Sequence, residues 1–257
     1  ADSVAQGHSL LLLHKLASTA ECESLRAEAS KFASDQRAAD SSEGMSYGGI
    51  SCQGFEEVPG PTFALPVVRM PILEMLGASG QALCDVLLVR GLGELHRHHP
   101  TLLPQLFGSL CVSEAESITT HPQLAFTNGE PACNVYTRGG EFAPHVDRQS
   151  LTVLLTLSAR ETFSGGGTGF WSTASTEGPE IDGRSLKMDG PPNFVLAPPI
   201  GTALIFGGDV THAARVITSG ERAVFVASFS PDSLAGGAGR GGTARRVAEQ
   251  LARSILL

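Results

Sequence analysis

The sequence predicts a mainly β domain with flanking helices, an α+β chain whose strands form the core and whose helices pack on one face. Three observations carry this. From Asn128 onward, short apolar runs recur between clusters of Gly, Pro and Ser. The 257 residues include 30 glycines and 15 prolines, which suits turns better than a helical bundle. Before residue 107 the apolar spacing is helical instead. Many short strands joined by such turns predict a jelly roll, a cupin-like double-stranded β-helix.

The elements follow in order. Ser9-Leu10-Leu11-Leu12-Leu13-His14 predicts a short strand. Ser18-Thr19-Ala20-Glu21 has capping-box spacing, and Cys22, Leu25, Ala29 and Phe32 follow at helical intervals. Residues 36–62 are polar and glycine-rich and read either as a surface loop or as a flap over an active site. In the second case Tyr47 and Phe55 are candidate substrate contacts. From Pro66 to Leu106 the reading is helical. Val67, Met70, Leu73, Glu74 and Met75 begin one pattern, and Ala82, Val86, Val89, Leu92 and Leu95 continue another beyond Gly77 and Gly80. His96-Arg97-His98-His99 fans around a helix end and has no carboxylate at fixed spacing. It reads as a cationic C-terminus rather than a metal site.

Strands are predicted at Val135–Thr137, Leu151–Leu157, Gly169–Trp171, Asn193–Leu196, Thr202–Phe206 and Arg222–Phe229. Residues 172–192 read as an insertion at the mouth of the barrel. The chain thus divides into one domain over 1–235, a Gly-rich linker over 236–242 and a helix over 243–257. Within the domain, 1–127 supplies an N-terminal strand and supporting helices, and 128–230 supplies the β core.

Composition narrows the function. A hydrophobic content of 42% excludes a disordered chain. A net charge of -8 disfavours nucleic acid as a partner. No apolar run approaches the roughly 20 residues that span a bilayer, so no membrane partner is expected. Five cysteines without C-x-x-C spacing read as buried small hydrophobes and favour a reducing, cytoplasmic setting. The chain starts at Ala1 with no signal-peptide pattern and reads as a trimmed or mature domain.

The chemistry centres on Gly139-Gly140-Glu141-Phe142-Ala143-Pro144-His145-Val146-Asp147. On an extended chain residues i and i+2 share a side, so His145 and Asp147 can address one point. His212 follows the apolar run Thr202–Phe206, which reads as a strand that ends near it. Two imidazoles and one carboxylate on one face of an octahedral ion leave the opposite positions open, the ligand set of non-heme Fe(II) oxygenases. Arg222 opens the alternating stretch Arg222–Phe229. An arginine buried on such a strand needs an anion, and guanidinium pairs bidentately with carboxylate. A 2-oxo acid cosubstrate follows.

At these residues the chain resembles the 2-oxoglutarate/Fe(II)-dependent dioxygenases, in their prolyl 4-hydroxylase-like branch. The motifs run in order from Asn134-Val135-Tyr136-Thr137-Arg138-Gly139-Gly140 through His145-Val146-Asp147 and Ser150–Ser158. Gly165-Gly166-Gly167-Thr168-Gly169-Phe170 and Pro199–Phe206 complete the series. The resemblance implies Fe(II) held by His145, Asp147 and His212, with 2-oxoglutarate bound by Arg222, Tyr136 and Thr156. O2 is the other cosubstrate and ascorbate the activator. It also implies hydroxylation of a C–H bond with decarboxylation of 2-oxoglutarate to succinate. Arg222 stands where collagen-type relatives carry lysine and is similar to the oxygen-sensing prolyl hydroxylases. Related iron halogenases lack the carboxylate that Asp147 supplies, which favours hydroxylation. Tyr47, Phe55, Arg148 and Trp171 are candidate substrate-binding residues. The substrate reads as a prolyl residue in a protein or peptide, or else as a free amino acid or other small metabolite. A non-enzymatic, metal-binding cupin-like domain is the third reading.

Overall fold

The computed structural model describes residues 2–5, 9–43, 66–171 and 190–232. The expected flap over 44–62 with Tyr47 and Phe55, most of the insertion, the Gly-rich linker and the C-terminal helix lie outside these residues.

A four-residue helix, α1 (Asp2–Ala5), precedes strand β1 (Leu11–Leu13) and helix α2 (Thr19–Glu43). Ser18 caps α2: its backbone N–H and hydroxyl both meet Glu21 Oε2 at 2.8 Å, and Glu21 N–H returns to Ser18 Oγ at 3.2 Å. The helix extends over 36–43, where the polar composition predicted loop. Gln36, Arg37, Ala38 and Ala39 are good helix formers.

Val67 and Met70 do not begin a helix. Val67–Pro71 is strand β2, with Val68 and Met70 buried beneath the helices and Arg69 on the opposite face. The i, i+3 spacing of Val67, Met70 and Leu73 imitates helical periodicity across a strand–helix junction. Helix α3 (Ile72–His98) follows and is broken at Gly77 (φ 56°, ψ -138°), where the two helical patterns were expected to part. His96, Arg97 and His98 form its last turn and His99 its C-cap, as expected of a cationic helix end. The most apolar 18-residue stretch of α3 has mean hydropathy 1.5, so by length and composition this helix could cross a bilayer. In the fold, α3 packs Cys84, Leu87, Leu88, Leu92 and Leu95 into the core. Asp85 on α3 accepts the Ile118 and Thr119 backbone N–H groups at 2.8 and 2.9 Å.

Helix α4 (Leu102–Phe107) leads to β3 (Leu124–Phe126), β4 (Ala132–Tyr136), β5 (Leu151–Thr156), β6 (Phe163–Gly165), β7 (Thr168–Phe170) and β8 (Phe194–Leu196). The remaining strands are β9 (Ala203–Phe206), β10 (His212–Ala214), β11 (Ile217–Gly220) and β12 (Arg222–Pro231). A seven-stranded antiparallel sheet runs β1-β9-β5-β12-β4-β2, with β3 also paired to β12. A smaller sheet runs β10-β7-β8, and β11 pairs with β6. The molecule is mainly β with helices on one side of the larger sheet, a jelly roll as predicted. The N-terminal strands β1 and β2 are built into the large sheet through β9 and β4.

Period-two alternation sorts two cores. Ala223, Phe225, Ala227 and Phe229 of β12 join Leu151, Val153 and Leu155 of β5 in the layer under the helices. Tyr136, Leu154, Leu204, Phe206 and Val224 face the other way, into the barrel with Phe163 and Phe170. Arg222, Thr156, Thr152 and Ser228 share that interior face by the same alternation. Phe229 joins the layers: it is fully buried, and its ring lies 5.5 Å from Phe107 of α4 and 5.0 Å from Phe126 of β3. Phe229→Ala is expected to cost about 3–5 kcal/mol of unfolding free energy in denaturant melts. A loss under 1 kcal/mol would contradict this packing.

Candidate metal centre and adjoining anion site

His145 and His212 are paired by the backbone itself. His145 N–H donates to His212 O at 2.9 Å and His212 N–H donates to His145 O at 3.0 Å, an antiparallel bridge. His212 does not close the strand Thr202–Phe206. Gly207, Gly208 and Asp209 carry the chain from β9 to the smaller sheet, and His212 opens β10 opposite Phe170. Gly208 permits that crossing, since a Cβ there would meet Gln149 O at 1.9 Å. Asp147, two residues past His145, completes the group. One ligand atom from each of His145, Asp147 and His212 lies within 4.8 Å of the others.

Both imidazoles are oriented by main-chain carbonyls. His145 Nδ1 lies 2.8 Å from Ala143 O, and His212 Nδ1 lies 3.0 Å from Val210 O. A carbonyl accepts, so Nδ1 carries the proton and Nε2 keeps its lone pair. Both Nε2 atoms face Asp147, at 3.5 Å from Oδ1 for His145 and 3.7 Å from Oδ2 for His212. The Phe206 and Phe142 rings, 4.8 Å from His212 and 4.9 Å from His145, wall the group.

The electrostatics suit a cation. Burial drives His212 down to about 4, with Asp147 opposing and His145 adding to the fall, so its ring is neutral near pH 7. Burial would raise Asp147, but His212, His145 and the Thr152 hydroxyl outweigh it and hold the carboxylate ionised. For His145, burial acts downward, yet the hydrogen bond and charge of Asp147 prevail and raise it. A metal ion would compete with that proton. The donors therefore fit a divalent transition ion: the neutral His212 imidazole, the His145 imidazole once the ion displaces its proton, and one carboxylate.

Across the same interior lies Arg222, opposite Tyr136 in the β12–β4 ladder and 3% exposed. Its Nη2 donates to Thr168 Oγ1 at 3.1 Å, and its guanidinium stands 5.6 Å from the Tyr136 ring centre. Burial lowers its pKa, and no carboxylate pairs with it among the described residues. Gly166 (φ +68°) makes room: a Cβ there would touch Ile217 Cδ1 at 2.6 Å and Arg222 Cδ at 3.4 Å. One step along the ladder, Thr156 Oγ1 is buried and makes no hydrogen bond among the described residues. An unpaired guanidinium and an unpartnered hydroxyl in one apolar interior fit a bound carboxylate.

The two remaining described candidates stand differently. Trp171 is buried, and its indole N–H donates to Gly190 O at 3.3 Å, so its polar edge is already engaged within the chain. Arg148 adopts φ +58° beside His145-x-Asp147 and donates its N–H to Gly208 O at 2.9 Å. Sequence reading missed Thr152, whose hydroxyl donates to Asp147 Oδ2 at 2.6 Å, and the Arg69–Glu130 pair. The i+5 spacing of Thr152 from Asp147 carries no motif, and Arg69 and Glu130 are 61 residues apart.

No protein-family model matches this sequence, and no curated protein matches it. Among solved structures, the match to AviO1 supports the fold. AviO1 from Streptomyces viridochromogenes Tue57 matches with a TM-score of 0.52 at 12% identity, over 90% of this chain and 93% of that one. A Pseudomonas putida prolyl-4-hydroxylase matches at 14% identity and a TM-score of 0.43, over 90% of this chain and 98% of that one. An oxidoreductase of the 2OG-Fe(II) oxygenase family from Burkholderia pseudomallei matches at 19% identity and a TM-score of 0.29. This last match spans about half of each protein, 52% of this chain and 55% of that one.

A metal ion that binds only the folded group should stabilise it. At a hundred times its Kd, Co(II) adds about 2.7 kcal/mol, so the Tm of the wild-type chain rises on Co(II) addition. His212→Ala abolishes the rise. An equal rise in the variant would remove His212 from the metal group.

Proposed function

We propose that this chain is a 2-oxoglutarate- and Fe(II)-dependent dioxygenase that hydroxylates a C–H bond, with a prolyl residue of a protein or peptide as its substrate. The observation that carries the reading is Arg222, a buried guanidinium without a carboxylate partner among the described residues, in the same interior as His145, Asp147 and His212.

The residues divide the work. His145 and His212, with Nδ1 held by Ala143 O and Val210 O, offer Nε2 to the iron, and Asp147 offers a carboxylate oxygen. When bound, Fe(II) supplies activation of dioxygen coupled to oxidative decarboxylation of 2-oxoglutarate, giving succinate, CO2 and a hydroxylated substrate. Arg222 binds the cosubstrate's remote carboxylate bidentately, with Thr168 fixing the guanidinium. Thr156 donates its unpartnered hydroxyl to the same anion, and Tyr136 walls it. Phe206, Leu154 and Val224 exclude water, which strengthens each of these contacts. Ascorbate serves as activator by keeping the iron reduced.

A second reading, hydroxylation of a free amino acid or other small molecule, draws on Trp171. Its burial and its bond to Gly190 remove one aromatic from a peptide groove. The test is succinate production from 2-oxoglutarate with Fe(II) and ascorbate under air, with and without proline-rich peptides. Turnover that rises with peptide and vanishes in His145→Ala is the expected result. Turnover insensitive to any peptide moves the substrate to the small-molecule class. No succinate from a protein that binds iron overturns the oxygenase in favour of a metal-binding domain.

A further inference from the structure

Beneath the metal group runs a buried polar chain that the proposed chemistry does not use. Thr152 on β5 and Ser228 on β12 are directly opposite, face the barrel interior and are fully buried. Thr152 Oγ1 donates to Asp147 Oδ2 at 2.6 Å and lies 3.2 Å from Ser228 Oγ. A hydroxyl has one proton, so Thr152 gives it to Asp147 Oδ2, the shorter of its two contacts, and Ser228 Oγ stands beside it as the longer, second acceptor. The Ser228 backbone N–H in turn donates to Glu130 Oε2 at 2.5 Å. Glu130 is a second buried carboxylate, and the Arg69 guanidinium pairs with its Oε1 while donating to Asn134 Oδ1 at 3.2 Å.

We propose that Thr152 is the positioning residue of the metal centre: by donating to Asp147 Oδ2 it stops the carboxylate from turning and leaves Oδ1, the oxygen that faces His145 Nε2, as the single ligating oxygen. The inference rests on the metal reading above. Its physical basis is directional. A carboxylate free to rotate can give a metal both oxygens and consume a coordination position that the cosubstrate and O2 require. A short charge-assisted hydrogen bond to one oxygen removes that option. Thr152 cannot drift, because its β-branched side chain is fixed on a strand flanked by β9 and β12. The Arg69–Glu130 pair completes the chain. It neutralises Glu130, so the Asp147 charge faces a hydroxyl dipole rather than an uncompensated second anion.

The test titrates Co(II) into the intact chain and reads both affinity and the visible d–d spectrum. Thr152→Val is expected to weaken Co(II) about 10–100-fold, as lost outer partners do, and to alter the spectrum of the loaded protein. Thr152→Ser, which keeps the hydroxyl, is expected to restore both. A merely structural role would weaken binding without changing the spectrum of the loaded form. If Thr152→Val fails to fold, as judged by circular dichroism, Thr152→Ala, which also removes the hydroxyl bonded to Asp147, carries the test with the same expected shifts. A folded variant with wild-type affinity and spectrum overturns the positioning role. A wild-type chain that takes up no Co(II) overturns the metal reading itself, a failure distinct from a variant that matches wild type.

Discussion

A guanidinium inside an apolar barrel is the constraint around which this molecule makes sense. Moving Arg222 out of water costs several kcal/mol even after relaxation, and proteins offset that with a partner. Here the described residues supply one acceptor, the Thr168 hydroxyl oxygen, and the face of Tyr136, and no carboxylate. The fold nevertheless spends sequence on holding the group there. Arg222 starts the central strand β12, Gly166 clears the space around its stem, and Thr156 keeps a buried hydroxyl unpartnered nearby. Each feature is costly alone and economical together if an anion binds between them.

The metal group obeys the same logic from the other side of the interior. His145, on the segment between β4 and β5, exchanges backbone hydrogen bonds with His212, the first residue of β10 in the smaller sheet, so the main chain itself fixes the two imidazoles beside each other. Carbonyls fix both tautomers, and a hydroxyl chain fixes the carboxylate. The positions that would meet a cation are thus prepared by main-chain geometry rather than by flexible side chains, the arrangement that gives rigid, preorganised sites.

Much of this was legible in the sequence, for local reasons. Ser18-x-x-Glu21 marked the start of α2, the Arg222–Phe229 alternation marked β12, and the His145-x-Asp147 pair declared its geometry through strand periodicity alone. The failures share one cause. Val67–Pro71 is too short for its period of two to outvote the i, i+3 spacing that runs on into α3. Strands β3, β6, β10 and β11, of three or four residues each, are held by pairing to distant partners rather than by their own pattern. His212 was expected at the end of β9. Its own strand exists because His145 and Phe170 flank it. The Thr152–Ser228–Glu130–Arg69 chain joins four separate segments and has no sequence signature.

The most direct measurement is calorimetric titration of 2-oxoglutarate, without O2, into the metal-loaded chain and into Arg222→Met. Losing one partner of a buried charge pair costs about 2–5 kcal/mol, so the variant should bind roughly 30-fold more weakly or worse. Equal affinity in the two proteins would mean that Arg222 is not the carboxylate-binding group, and the account built on it would fall.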